Sequence, residues 1–126
     1  MLRFIDDMPP NVLAIEAAGK VTHDDYRNML IPRVEAMLAK GGPIKMLYVI
    51  GKDFTGFELE ALWHDGNLGL KHWRDFSHVA VVADQVWLRA AVSMFMPFFH
   101  GEVRMFGLSQ LPAAKAWIVE RKQDAA

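Results

Sequence analysis

The stretch from Gln85 to His100, QVWLRAAVSMFMPFFH, restricts what this chain can fold into more than any other. Its spacing predicts a helix with very little polar surface. At 100° per residue, Gln85, Arg89 and Ser93 recur every four positions and form one narrow polar stripe. The rest is apolar, with Leu88, Val92 and Phe95 on one flank and Trp87, Ala91 and Met94 on another. A helix docked on a sheet needs an apolar stripe somewhat over ~100° wide, and this one offers roughly twice that. Pro97 should end the helix, because a residue before proline is pushed out of the α region. Phe98 and Phe99 follow at once. The second apolar flank calls for a cover, and what covers it is the functional question.

The remaining chain supplies a sheet for that helix. Leu2 to Ile5 and Val12 to Ala17 read as two strands joined through the turn-forming Asp6-Asp7-Met8-Pro9-Pro10-Asn11, a hairpin closed by Gly19. Thr22-His23-Asp24-Asp25 reads as a capped helix start with acidic residues in its first turn. Tyr26, Met29, Leu30, Val34, Met37 and Leu38 continue with helical spacing to Gly41-Gly42, and Pro32 should kink that helix near Asn28 to Pro32. Ile44 to Ile50 has the nearly unbroken apolar character of a strand covered on both faces. A loop from Gly51 to Phe57 leads into an expected helix from Glu58 to His72, where Gly66 and Gly69 each weaken the helix by about 1 kcal/mol. His78 to Ala83 is a second buried strand, and Glu102 to Phe106 a short one. Ser109 is the expected cap of a last helix carrying Leu111, Ala114, Trp117 and Ile118 on one side. The order β-β-α-β-α-β-α-β-α predicts a single α/β domain over 1–126, with a mixed, mostly parallel sheet and an N-terminal hairpin.

Composition narrows the function. At 126 residues, 52% apolar and 23% charged, the chain suits one globular core. A formal net charge of -1 gives no global field for nucleic acid, and nucleic-acid partners are not expected. The absence of cysteine removes disulfides, thiolate catalysis and cysteine-based zinc sites. The start MLRFIDDMPP does not read as a signal peptide, and no segment reaches the ~18 apolar residues needed to span a bilayer. The expected location is cytoplasmic, either free or peripheral at the inner membrane surface.

Catalytic constellations are not found. His64 and His72 fall two helical turns apart, about 12 Å, which is too far for one metal ion. With Asp65 they read as solvated polar residues. His23, His78 and His100 have no spaced partners. Ser77, Ser93 and Ser109 lack a nucleophile-elbow setting, and Gly51-Lys52 lacks the rest of a phosphate-binding loop. No enzyme, cofactor or metal is expected. Thr55-x-x-Glu58 has the spacing of a capping box at the start of the second long helix.

The ordered set of residues resembles the SpoIIAA-like proteins, a branch of the STAS superfamily also called STAS/SEC14 domain proteins. Asp25-Tyr26 and Pro32, the strand Ile44 to Ile50, and Asp53-Phe54-Thr55-Gly56-Phe57 carry the likeness. So do Leu70-Lys71-His72 with Asp75-Phe76, the strand Val79 to Ala83, Trp87 with its proline-ended helix, Val103 to Phe106, and Ala114 to Trp117. It covers roughly Phe4 to Val119. The resemblance implies a small, non-enzymatic binding or regulatory domain on a STAS-type sheet. In anti-sigma factor antagonists of that superfamily, a serine in an Asp-Ser-Ser-Gly motif after the third strand is phosphorylated. Thr55 would fall on that phosphoacceptor, although Phe54 and Phe57 make this loop more apolar than the motif. The SEC14 part of the family name implies an apolar ligand.

These readings converge on a module that binds an apolar, lipid-like ligand or associates peripherally with a membrane surface. The expected site comprises Phe54, Phe57, Trp63, Trp87, Ala91, Met94, Phe98 and Phe99, with Phe54 to Phe57 as a lid. Flexible Met beside rigid aromatics suits an adaptable apolar surface. Arg89, Lys71 and Arg74 are the cations available for lipid phosphates. The alternative is a protein-interaction regulator of the anti-sigma factor antagonist type, or a homodimer that buries the Gln85–Met96 helix.

Overall fold

The structure, a computed structural model, describes residues 1–41, 43–57, 76–99 and 101–120, without the side chains of His23, Tyr26, Phe57, Phe95 and Phe98. The hairpin forms as read: β1 (Leu2–Phe4) pairs antiparallel with β2 (Val12–Ala17), Leu2 facing Ala17. A two-residue strand that the sequence does not announce, β3 (Lys20–Val21), follows. The chain then enters α1 (His23–Asp25). Thr22 Oγ1 accepts the Asp25 N–H at 3.2 Å and Asp25 Oδ2 accepts the Thr22 N–H at 2.9 Å, a reciprocal cap that satisfies two exposed donors.

Pro32 leaves its mark differently from the expected kink within one α-helix. Tyr26–Leu30 forms a π-helical turn, and α2 (Ile31–Ala39) starts anew with Pro32 in its first turn. The first turn of a helix needs no N–H from its residues, so proline fits there; the π turn absorbs the break. Gly41 closes α2 at φ 86°, donating its N–H to Leu38 O at 3.0 Å.

Strand β4 (Ile44–Ile50) matches its predicted bounds, and β5 (Gly56–Phe57) pairs parallel with β3 as a small separate ladder. The expected helix from Glu58 to His72 lies outside the described residues. Next come β6 (Phe76–Val82), α3 (Val86–Phe95), a 3₁₀ turn over Met96–Phe98, β7 (Glu102–Phe106), a second 3₁₀ turn over Leu108–Gln110, and α4 (Leu111–Ile118). Pro97 stops the α-helix as expected. Ser109 does not cap α4; the exposed amides of that corner are held by Gln110 Oε1 on the Gly107 N–H and Asp84 Oδ1 on the Leu108 N–H, both 2.9 Å. Capping from a neighbouring loop has no sequence signature.

The main sheet runs β1-β2-β4-β6-β7, antiparallel only at its first pair. Alternation splits each strand between two faces. Leu13, Ile15, Ala17, Ile44, Ile50, Val81 and Ala83 pack with Leu30 and Val34 on the α2 side, and Leu88 of α3 and Phe54 join them. Val12, Ala14, Leu47, Val49, Ala80 and Val82 pack under Ala114, Trp117 and Ile118 of α4. Lys45 is the exception in its apolar strand: it is buried, and its Nζ donates to Glu120 O at 3.0 Å. Carbonyls just past the end of α4 favour a cation there.

Candidate functional site

Gln85 at the N-cap of α3 and the two polar residues within the helix, Arg89 and Ser93, are all tied to backbone carbonyls, and this sets how the helix sits. Gln85 precedes the helix in an extended conformation and its Nε2 donates to Gly51 O at 2.9 Å. Arg89 Nη1 donates to Ala83 O at 2.9 Å and Phe106 O at 3.1 Å, bridging the ends of β6 and β7. Ser93 Oγ returns to Arg89 O at 2.9 Å. Gly51 O also accepts the Phe54 N–H and Phe106 O the Ala83 N–H, so at these two carbonyls the side-chain donor adds a second bond, while Arg89 also satisfies Ala83 O. The Arg89 guanidinium is therefore committed to the protein's own backbone, which argues against the lipid-phosphate contact its sequence position suggested.

With Gln85 and Arg89 directed to the sheet's rim, the outward side of α3 is apolar. Val86 is 81% exposed, Trp87 53% and Met94 74%, with exposed Ala90 between them. Leu88 faces the core. Trp87 is braced from below by Phe54, the rings stacked at 6.2 Å between centroids and 15° between planes. Phe54 is only 5% exposed and belongs to the core, so it supports Trp87 and could act as part of a lid only by leaving that core.

The third side of α3 borders a groove of about 340 Å³. Val79 and Val81 of β6 and Val103 of β7 form its floor; Ala91, Val92, Met96 and Phe99 form its walls. All seven side chains are apolar. A recess of similar volume between the hairpin and α2 is mixed in character, its lining including Asp6, Arg33 and Lys40. The α3 groove therefore stands out by chemistry rather than by size.

The expected site residues fall into separate places. Trp87 and Met94 share the outward surface, Ala91 and Phe99 line the groove, and Phe54 lies beneath Trp87. Thr55 is exposed, its N–H donating to Gly19 O at 2.8 Å. The backbone of Phe57 lies in β5 and that of Phe98 in the 3₁₀ turn. Trp63 lies outside the described residues, as do Glu58, the partner of Thr55 in the expected cap, and Lys71 and Arg74. The expected site did not include Val92 and Met96 of the groove's walls or Val79, Val81 and Val103 of its floor. The three strand valines alternate like any buried strand, and only the seating of α3 puts a groove against them.

Among the described residues no group of three or more His, Asp or Glu is placed to hold a metal ion. No helix among them is long and apolar enough to cross a membrane. Burial pushes the Asp25 carboxyl up, but hydrogen bonds from the Thr22 amide, the Met1 ammonium and the Thr22 hydroxyl, with the ammonium's charge, outweigh it. The net result is a pKa below the ordinary carboxylate value.

Comparison with known proteins agrees with this architecture. A crystal structure of an uncharacterized protein of the DUF3478 family from Shewanella loihica PV-4, with a SpoIIAA-like fold, superposes with a TM-score of 0.73 at 30% identity, covering 93% of each chain. No curated protein matches the chain. The SpoIIAA-like family model matches residues 12–119, from the first residue of β2 to Val119, just past α4. With its five-stranded, mostly parallel sheet, the chain belongs to the SpoIIAA-like family.

Proposed function

We propose that this domain is a non-enzymatic binding module that takes one apolar, lipid-like chain into the groove beside α3. The observation that carries this is a cleft of about 340 Å³ whose lining, among the described residues, is wholly apolar. Ligand sites run from ~300 to 1,000 Å³, so this groove suits a single hydrocarbon chain better than a bulky ring system. Each CH₂ group removed from water contributes about 0.8 kcal/mol, so about ten of them, the length of a medium acyl chain, reach micromolar binding. Val86, Trp87 and Met94 add an outward surface that seats the domain on a layer of acyl chains.

A fluorescent fatty acid titrated into the protein tests the groove. Ala91→Trp, which fills it, is expected to abolish binding while the fold persists by circular dichroism; undiminished uptake by that variant contradicts the reading. Vesicle co-sedimentation tests the outer surface. Wild type should pellet with vesicles and Trp87→Glu/Met94→Glu should not.

The regulator reading has an observation of its own, the exposed Thr55 in the loop after β4. Mass spectrometry of protein recovered from its host reads phosphate at Thr55 directly.

A further inference from the structure

Strand β7 ends the main sheet, so one side of its backbone has no strand partner among the described residues. Such an edge is a template for another chain unless charge, brevity or proline blocks it. The opposite edge, β1, is only three residues long, whereas β7 has five. The charges on β7 are one of each sign, Glu102 and Arg104, flanking Val103. Both lie on the α4 face: Glu102 Oε2 is 3.6 Å from His78 Nε2, and the Arg104 guanidinium lies 5.2 Å from the Trp117 ring centroid. Val103 points to the other face, into the apolar groove.

The geometry points to a homodimer formed by antiparallel pairing of β7 with β7 of a second copy, about a two-fold axis through Val103. Side chains opposite each other in an antiparallel pair share a face, so the axis must pass through a residue rather than between two. Centred on Arg104 or on Glu102, the pairing sets like charges against each other. Centred on Met105, it sets Arg104 against Phe106. Centred on Val103, it sets Glu102 against Arg104 twice, on one face, and Val103 against Val103 on the other. An edge carrying a single sign of charge would repel its copy; this one is complementary to itself.

Helix α4 lies mainly over β4 and β6. Val103 lies in the groove's floor on the outermost strand, so pairing sets two grooves side by side. This inference uses β7, not the outward side of α3, and stands whether or not the groove takes a lipid chain.

Sedimentation velocity on wild type, Arg104→Glu, Glu102→Arg and the double swap tests it. Wild type is expected to dimerise, and each single variant to lose at least tenfold in affinity. A 1:1 mixture of the two single variants should form a heterodimer, since one edge is then wholly negative and the other wholly positive. The double swap, complementary to itself again, should recover the homodimer; that recovery separates charge pairing from damage to the fold. Wild type that stays monomeric at about 100 µM, a hundredfold above a micromolar Kd, overturns the proposal. So does a dimer whose affinity the single variants leave unchanged, because it must then use another surface.

Discussion

Helices α3 and α4 are similar in length and in apolar content, and they lie on opposite faces of one sheet. Helix α4 turns Ala114, Trp117 and Ile118 inward and shows solvent the small side chains of Ala113 and Ala116. Helix α3 buries Leu88 and shows solvent Val86, Trp87 and Met94. The difference lies in where their polar groups are needed. Near α4, the strands set the His78 ring edge-on and the Arg104 guanidinium against the Trp117 ring, and the helix buries its largest residues. At α3, Gln85 and Arg89 serve Gly51, Ala83 and Phe106 carbonyls at the sheet's rim, and the helix rolls to reach them. Apolar content tells how much surface wants cover; hydrogen-bond demand at the strand ends decides which part receives it.

The contrast is broken most severely at Trp117. Trp117→Ala should cost about 3–5 kcal/mol in chemical denaturation, as expected for emptying a core aromatic site. Trp87→Ala should cost about 1 kcal/mol or less, chiefly its stacking on Phe54, yet remove vesicle binding. Equal destabilisation by the two would mean that α3 is as tightly integrated as α4.

Arg89→Met keeps much of the side chain's bulk and deletes both charged hydrogen bonds. A loss of about 2–3 kcal/mol is expected in the same assay, since bonds to a charged group contribute ~1.5–3 kcal/mol. A neutral result would show that the rim carbonyls do not set the roll of α3. Gly101→Ala tests the neighbouring strand. A Cβ there would sit 2.2 Å from the Ser77 carbonyl oxygen, so the start of β7 must shift away from β6. Overpacking of this kind costs ~1–3 kcal/mol, read as a lowered melting temperature.

A similarly small effect lies at the Thr22–Asp25 cap. Asp25 has a depressed pKa in the fold, so its contribution is complete above its ordinary value of 3.8 and disappears as pH falls through the lower folded value. Asp25→Asn should remove about 1 kcal/mol at neutral pH and flatten the acid limb of the stability profile, with the α3–α4 difference unchanged.

Much of the fold could be read from residue pattern. Runs such as Ile44–Ile50 and Glu102–Phe106 form strands with those bounds, and the Thr22–Asp25 cap appears where its spacing puts it. Pro32 marks a break, although pattern could not tell a kink from a π turn followed by a new helix. The site was less legible. Trp87 and Met94 were singled out and are exposed, but Phe54, expected in a lid, is core. Arg89, expected at a phosphate, is bonded to carbonyls 6 and 17 residues away.

Alternation, helical period and proline placement, all local properties of neighbouring residues, were enough to specify the mixed sheet, its hairpin and a helix with surplus apolar surface. How that helix is seated, which valines it leaves uncovered and which strand ends the sheet depend on groups far apart in the chain. Those choices follow from side-chain hydrogen bonds to the rim carbonyls and from side-chain volumes that meet only after the strands have assembled, and so the tertiary structure alone decided them.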